Sequence, residues 1–300
     1  MKTSALSAQA TPESVSRSLQ QAMRQYPLFF FFLMAYAFSW VMLIPFILSE
    51  WGILPNAKYF TIAFVLNPFV GPTLAAYIMS RISEGQAGVL GLRRGLTRWR
   101  VGWRWYGFVL LGIPAAVLVG IFVLPGALTS FQGLPPAFLV SYPISFVVIF
   151  FLGGPLGEEI GWRGFALPRL QARYGPLGGT LVLGFLWTCW HLPHFLTSAQ
   201  RGGPGISFAT ILTNFAIFFP MVMALAIIFT WVFNHTQGSL FMAILLHASV
   251  NTLGSVMLLF PVPLVTNRDL APLIGFGVLA LLIVILTHGR LGYQPSQNSS

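Results

Sequence analysis

Long apolar stretches alternate with short polar breaks along almost the whole chain. A helix that crosses a bilayer needs about 20 predominantly apolar residues, and the breaks between these stretches hold glycine and proline, which mark turns. The apolar stretches run over residues 28–49, 59–80, 105–125, 139–160, 178–197, 208–233, 240–260 and 271–288. This pattern predicts an all-α polytopic membrane protein with about eight transmembrane helices.

Polar segments flank the apolar blocks at both ends. Residues 1–26 are rich in Ser, Gln and Ala and predict a cytosolic segment or a short surface helix, and residues 291–300 form a polar tail. The first apolar block has 22 residues, whereas a signal-peptide core has about 7–15. We therefore expect that block to be a retained transmembrane helix at the start of a membrane domain over residues 27–290.

The composition agrees with a membrane protein and excludes several other classes. Hydrophobic residues make up 56% of the 300 residues and charged residues only 7%, against about 25% charged in globular domains. A water-soluble enzyme is thereby excluded, and the single cysteine, Cys189, excludes a disulfide scaffold. The net charge of +10 would suit nucleic acid only on a folded basic face. The arginines instead cluster between apolar blocks, so we expect no nucleic-acid partner and a lipid bilayer around the protein.

The distribution of the basic residues predicts the orientation. With an inside N-terminus and eight spans, twelve of the sixteen Lys and Arg residues fall in segments predicted to be inside, and three fall in outside loops. Short cytoplasmic loops carry an excess of Lys and Arg. We therefore expect both termini to be cytoplasmic in a multi-pass protein of a bacterial-type plasma membrane. The inside segments are 1–27, 81–104, 167–177, 234–239 and 289–300.

Two adjacent glutamates, Glu158 and Glu159, lie where lipid disfavours charge. A charge at the centre of a membrane helix costs about 2.5–3.5 kcal/mol, so such residues face a protein interior or a watery cavity. Glu159 and Arg163 are four residues apart with the acid first, which places them on one helix face as a structural pair. Glu158 points about 100° away and is left free. The alternative is that both glutamates cap a helix at the interface, but the apolar run 164–167 continues beyond them.

Histidine and asparagine also occur inside apolar blocks. His191 is predicted to lie deep in the fifth helix, and His247 and Asn251 lie four apart on one face of the seventh. An ionisable residue in a membrane span marks a functional site by default. For His194, three residues after His191, a packing role is the preferred interpretation.

A carboxylate, two imidazoles and an amide suit hydrolysis. Glu158 can act as a general base on a water molecule, and a histidine can orient that water or protonate the leaving amine. Asn251 and a second histidine can stabilise a developing oxyanion. Glu158, His191 and His247 also have the ligand types for a catalytic zinc or another divalent metal, so the residues alone fit both a metal-free and a metal-dependent reaction.

The chain lacks the residues that other classes of membrane protease need for catalysis. The chain has no His-Glu-x-x-His run and no Gly-x-Ser-x-Gly, and its only aspartate, Asp269, cannot form an aspartyl dyad. The rival class is a proton-coupled transporter or a membrane scaffold that uses Glu158, Arg163 and the histidines as a buried relay. The sequence shows no internal repeat of the kind that many transporters have.

At these residues the sequence resembles the CAAX protease and bacteriocin-processing family, which includes type II CAAX prenyl endopeptidases. The family's Glu-Glu-x-x-x-Arg motif stands at 158–163 and its His-x-x-x-Asn motif at 247–251. Its Phe-x-x-x-His motif stands at 187–191, with Trp187 in place of the usual Phe. The resemblance covers most of residues 60–255, with a core at about 140–260.

The resemblance implies an eight-helix intramembrane endopeptidase whose cavity opens to the cytosol. Glu158 and His191 would activate the water, and His247 with Asn251 would stabilise the oxyanion. The implied substrates are membrane-associated, prenylated or bacteriocin-like peptides, and no feature of the chain identifies a prenylated one. Both metal-dependent and metal-independent mechanisms are attributed to the family, and we favour glutamate and histidine chemistry with an optional metal. An immunity-type scaffold without proteolysis is the alternative.

The predicted orientation can be tested with reporter fusions at Gly95 and at Gln294. Both fusions are expected to report from the cytoplasmic side, because both positions fall in segments rich in basic residues. A periplasmic signal from either fusion would show that the predicted number of spans is wrong.

Overall fold

The computed structural model describes residues 12–55, 60–198, 202–257, 259–260 and 270–294. Within these ranges every regular element is helical. The helices, numbered in chain order, are α1 (Pro12–Gln25), α2 (Pro27–Glu50), α3 (Thr61–Thr97), α4 (Trp103–Phe122), α5 (Ala127–Ser130), α6 (Pro136–Leu152), α7 (155–174), α8 (Pro176–Trp190), α9 (Phe208–His235), α10 (Leu240–Met257) and α11 (Leu270–Leu286).

The prediction of an all-α polytopic membrane protein is confirmed. Five helical stretches of the described chain are long and apolar enough to cross a bilayer: α2, α3, α4, the run of α6 and α7, and α9. The α10 and α11 helices are shorter and also apolar. Within the described residues each predicted apolar block is largely helical, but the blocks 139–160 and 178–197 do not each match one continuous α-helix. Parts of the predicted polar ends and loops lie outside the described residues, namely 1–11, 295–300, Lys58, Arg201, Arg268 and Asp269.

The prediction of one continuous span over residues 139–160 was wrong, because two separate helices cover this range. The helix α6 ends at Leu152, and Gly154 adopts a φ of 102°, a conformation that glycine reaches at little cost. The chain restarts with Pro155 in the first turn of α7, where the missing proline N–H costs nothing. The two glutamates therefore lie near the start of a separate helix that continues to residue 174.

Two further boundaries differ from the prediction. The fifth predicted span corresponds to α8, which ends at Trp190. His191 is the C-terminal capping residue of α8 and does not lie deep inside a helix. Pro193 cannot continue an α-helix, and the chain passes into the 3₁₀ turn Leu192–Leu196. The predicted loop 81–104 is helical as far as Thr97, with a change of direction at Gly85, whose φ is 67°.

The α3 and α7 helices approach each other with almost no side chain between them. A Cβ atom on Gly157 would lie 2.8 Å from Pro68 Cβ, and one on Gly161 would lie 2.5 Å from Pro72 Cβ. Only glycine fits at such separations, so these two positions fix how closely the helices pack. The contact also fixes the position of the glutamates, which directly follow Gly157 in the chain.

Both helices widen at this contact. The segments Phe69–Thr73 of α3 and Ile160–Ala166 of α7 form π-helical turns. Such turns are rare and occur frequently at functional sites. The Thr73 hydroxyl donates to the carbonyl oxygen of Gly157 across the contact at 2.6 Å. The wide turns and the small residues together hold the start of α7 against α3.

A second close contact joins α4 and α11. A Cβ atom on Gly120 would lie 2.0 Å from the carbonyl oxygen of Ala271, and one on Gly275 would lie 2.0 Å from that of Ala116. Helices pack in membranes through small residues that let the backbones approach. This reciprocal contact holds α11 against the rest of the bundle.

The α4–α11 contact can be tested by Gly275→Ala with Gly277→Ala as its control. The new methyl group at 275 must push the two backbones apart, and overpacking of this kind typically costs about 1–3 kcal/mol. At 277, two residues further along α11, a Cβ atom meets nothing within 4 Å. We expect a lower melting temperature in detergent for Gly275→Ala alone. Equal stability of the two variants would contradict the close packing.

Candidate active site

The two adjacent carboxylates are both buried, but they have different partners. Glu158 is 6% exposed and Glu159 is fully buried. Both lie at the end of the first turns of α7, just before the chain widens at Ile160. A buried charge needs a partner of opposite charge or hydrogen-bond donors. The two glutamates satisfy this requirement in different ways.

Glu159 lies between two nitrogen donors. Its Oε1 atom accepts from Arg163 Nη1 at 2.9 Å and lies 2.7 Å from His247 Nδ1. The predicted pair of Glu159 and Arg163 is therefore present, and both side chains are fully buried. His247 brings α10 to the same carboxylate, so Glu159 connects α7 to α10.

The guanidinium group of Arg163 is held between two aromatic faces. Its Cζ atom lies 4.2 Å from the ring centre of Trp187 and 4.1 Å from that of Phe229. Its Nε and Nη2 atoms have no hydrogen-bond partner among the described residues. The negative faces of aromatic rings attract cations. The two rings therefore stabilise the positive charge of Arg163 in place of further hydrogen bonds.

Glu158 is held by indole groups. Its Oε2 atom accepts from Trp187 Nε1 at 2.8 Å and from Trp162 Nε1 at 3.4 Å. Trp162 lies four residues further along the same segment, and Trp187 belongs to α8. Among the residues that the structure describes, the carboxylate is thus fixed by neutral donors and forms no direct ion pair.

The hydrogen bonds of the histidines determine where their protons lie. His191 Nδ1 lies 2.8 Å from the carbonyl oxygen of Trp187. A carbonyl oxygen only accepts, so Nδ1 carries the proton, and Nε2 of the neutral ring is an acceptor. The same argument puts a proton on Nδ1 of His247, which faces the carboxylate of Glu159. Its Nε2 atom is an acceptor in the neutral ring and a donor in the imidazolium ion.

These side chains meet at one cavity of about 220 Å³. The structure brings Glu158, His191, His247 and Asn251 together on its wall, and Asn251 Nδ2 donates to the carbonyl oxygen of Gly153 at 3.2 Å. The rest of the wall is mainly apolar and consists of Phe64, Val65, Pro68, Leu152, Gly153, Gly154, Trp187, Trp190, His194, Phe218, Met221, Val222, Leu225 and Val250. The catalytic roles of the four polar residues stay predictions.

Sequence reasoning missed three residues of this site. Trp162 was not considered, and Trp187 was treated only as an aromatic ring, although both donate to Glu158. An indole N–H in a membrane span needs an acceptor, and this signal could have pointed to them. His194, for which packing was preferred, is buried beside the rings of Trp190 and Phe64 and also lines the cavity.

The three predicted metal ligands, Glu158, His191 and His247, all line the cavity, and their role as metal ligands stays a prediction. Among the residues that the structure describes, no group of three His, Cys, Asp or Glu side chains could hold a metal ion. All three side chains also direct a ring nitrogen or an oxygen to a protein partner, as the hydrogen bonds of His191 Nδ1, His247 Nδ1 and Glu158 Oε2 show.

Comparison with known proteins shows that the segment carrying this site is similar to a known family. Residues 140–253 match the family model described as type II CAAX prenyl endopeptidase Rce1-like. A protein of Methanococcus maripaludis named "CAAX prenyl protease 2" is 29% identical over 151 residues. The predicted resemblance to the CAAX protease family is confirmed.

The range that matches the family model contains the four candidate catalytic residues and the arginine that pairs with Glu159. Glu158, Arg163, His191, His247 and Asn251 lie between residues 140 and 253, within the matched range. The alignment with the archaeal protein covers 48% of this chain and 53% of that protein. The chain thus spans about half the length of the curated relative that it matches.

The different surroundings of the two glutamates can be tested by Glu159→Gln and Glu158→Gln. Removal of one partner from a buried ion pair typically costs about 3–5 kcal/mol, so Glu159→Gln is expected to lower the melting temperature strongly. Glu158→Gln keeps an oxygen for the indole donors and leaves Glu159 with Arg163 and His247, so it is expected to stay folded. Thermal unfolding of both purified variants is the measurement. A stable Glu159→Gln protein beside an unfolded Glu158→Gln protein would show that the roles are reversed.

Proposed function

We propose that the chain is an intramembrane endopeptidase in which Glu158 activates a water molecule for attack on a peptide bond. The observation that carries this proposal is the position of Glu158: a buried carboxylate at the cavity wall, held by indole N–H groups instead of a cation. A carboxylate held by neutral hydrogen-bond donors can act as a general base on a water molecule. The match of residues 140–253 to type II CAAX prenyl endopeptidases supports the same reaction.

Glu158 and His191 act together on the water. Glu158 offers a carboxylate oxygen, and His191 offers the Nε2 lone pair that its Nδ1 bond to Trp187 leaves free. A water molecule that donates one hydrogen to each acceptor has both protons fixed and directs a lone pair at the substrate. Positioned general bases of this kind typically contribute 10²–10⁴-fold to rate.

His247 and Asn251 stabilise the oxyanion that forms on the attacked carbonyl. Asn251 has a second amide hydrogen besides the one given to Gly153. His247 donates from Nε2 when its ring is doubly protonated. In that state the positive charges of Arg163 and His247 balance the negative charges of Glu158 and Glu159. Donors aimed at the developing charge are typically worth 10²–10³-fold each.

The substrate is a peptide that reaches the cavity from the membrane. The mainly apolar wall suits a lipid-modified or membrane-inserted chain, whose apolar part would be buried there. The archaeal relative is named for its action on prenylated CAAX proteins. We accordingly place a prenylated peptide first among the substrates, and a bacteriocin-like peptide second. The protein works as a multi-pass enzyme with both termini cytoplasmic.

The proposal is tested by cleavage of a farnesylated peptide that ends in a CAAX box, with the purified protein in lipid nanodiscs. The release of the C-terminal tripeptide is followed by mass spectrometry. We expect Glu158→Gln and His191→Ala to lower the rate by about 10²–10⁴-fold, as loss of a general base does, while both proteins stay folded.

Matched controls come from residues outside the cavity. Glu84→Gln removes a glutamate that is bonded to Arg169 away from the cavity, and His235→Ala removes a histidine whose Nδ1 also bonds the carbonyl of a tryptophan four residues earlier. Both are expected to cleave at the wild-type rate. An inactive wild-type protein, or a Glu158→Gln protein as active as Glu84→Gln, would refute the proposed function and favour a non-proteolytic scaffold or transporter.

A further inference from the structure

The two oxygens of Glu158 have different surroundings. Oε2 accepts from two indole groups, Trp187 Nε1 at 2.8 Å and Trp162 Nε1 at 3.4 Å. A carboxylate oxygen has about two lone-pair sites, so both sites of Oε2 are taken by these donors. This oxygen is the poorer proton acceptor of the two.

The other oxygen lies beside a glycine. A Cβ atom on Gly154 would lie 2.8 Å from Glu158 Oε1, and Gly154 is itself part of the cavity wall. The space next to Oε1 therefore exists because residue 154 has no side chain. Its φ of 102° favours glycine at this position as well. The sharp turn between α6 and α7 thus leaves space beside Oε1 of Glu158.

We propose that Trp187, Trp162 and Gly154 are positioning residues that select Oε1 of Glu158 as the oxygen that takes the proton of the attacking water. This inference rests on the proposed function and deepens it. The indole donors hold Oε2 and fix the plane of the carboxylate, while Gly154 leaves the position beside Oε1 without a side chain. Trp187 supplies an N–H group, Nε1, that a phenyl ring at this position would lack.

The reaction balances with water as the only co-reactant. One O–H bond of the water breaks, its proton passes to Oε1, and the oxygen forms a bond with the carbonyl carbon of the peptide. The π electrons of the carbonyl move to its oxygen. When the oxyanion collapses, the C–N bond breaks, and the leaving nitrogen takes the proton from Oε1. One peptide and one water become an acid and an amine, and Glu158 returns to its carboxylate form.

The first test replaces the indole donor and keeps an aromatic ring. Trp187→Phe removes Nε1 but keeps an aromatic ring beside Arg163. In the wild type, Arg163 Cζ lies 4.2 Å from the ring centre of Trp187. We expect kcat for the farnesylated CAAX peptide to fall by about 10- to 100-fold, the range for a hydrogen bond to a charged group. KM is expected to stay within about 3-fold, because the indole nitrogen is already bonded to Glu158 Oε2. Trp162→Phe, which removes the longer bond, is expected to show the same pattern with a smaller fall in kcat.

The control for these variants is Trp231→Phe. Trp231 packs against Trp105 and Phe108 and is not part of the cavity wall, so its kcat is expected to equal that of the wild type. Equal kcat values for Trp187→Phe, Trp162→Phe and Trp231→Phe would overturn the inference while leaving the proposed function intact. A change confined to KM would also overturn it. If Trp187→Phe does not accumulate as folded protein, Trp162→Phe decides the question alone.

The second test fills the space beside Oε1. Gly154→Ala places a methyl group 2.8 Å from that oxygen, whereas Gly133→Ala places one at a similar φ of 83° with nothing within 4 Å. Both variants carry the same kind of backbone strain, so the difference between them reports the space at Oε1. We expect kcat to fall at least 10-fold further for Gly154→Ala than for Gly133→Ala. Equal kcat values would show that Oε1 needs no free space. A wild-type protein that cleaves no peptide would instead refute the proposed function itself.

Discussion

The low dielectric of a membrane interior makes every buried charge in this protein depend on a particular partner. An unpaired ion in such a medium costs far more than any single packing contact can return. Glu159 and Arg163 neutralise each other at 2.9 Å, and the guanidinium group is covered by the rings of Trp187 and Phe229. His247 joins the same carboxylate from another helix. The arrangement of α7, α8, α9 and α10 around the cavity follows from this one cluster.

The separation of the two glutamates follows from the same constraint. Because Glu159 takes the cationic partners, Glu158 is left to the indole donors and keeps a free oxygen. A single glutamate would have to serve both the fold and the chemistry, and a strong ion pair would weaken it as a base. Two adjacent residues on one segment divide these tasks, since consecutive helical positions point in different directions.

Most of the helices and the ion pair of the site could be predicted from the sequence, because membrane helices need long apolar runs and buried charges need partners. The pairing of Glu159 with Arg163 follows from their spacing alone. The break after Leu152 and the helix end at Trp190 could not be placed so well. Hydrophobicity does not change at these points, and only glycine conformation and proline chemistry decide them.

The contacts between helices were the least predictable part. The approach of Gly157 to Pro68 and the wide turns at the α3–α7 contact depend on which backbone atoms face each other, and a single sequence does not show this. The hydrogen bond from Trp187 to Glu158 is of the same kind, because it joins residues 29 positions apart on different helices.

Each buried carboxylate also has a partner four residues further along its own segment, Arg163 for Glu159 and Trp162 for Glu158. This local pairing matters before the tertiary structure exists. A nascent α7 can enter the bilayer with one ion pair and one hydrogen bond already formed within the helix, because neither pair has to wait for another helix to arrive. The later helices α8 and α10 then add Trp187 and His247 to a segment that is already tolerable in lipid. The order of synthesis along the chain thus matches the order in which the charges of the site acquire their partners.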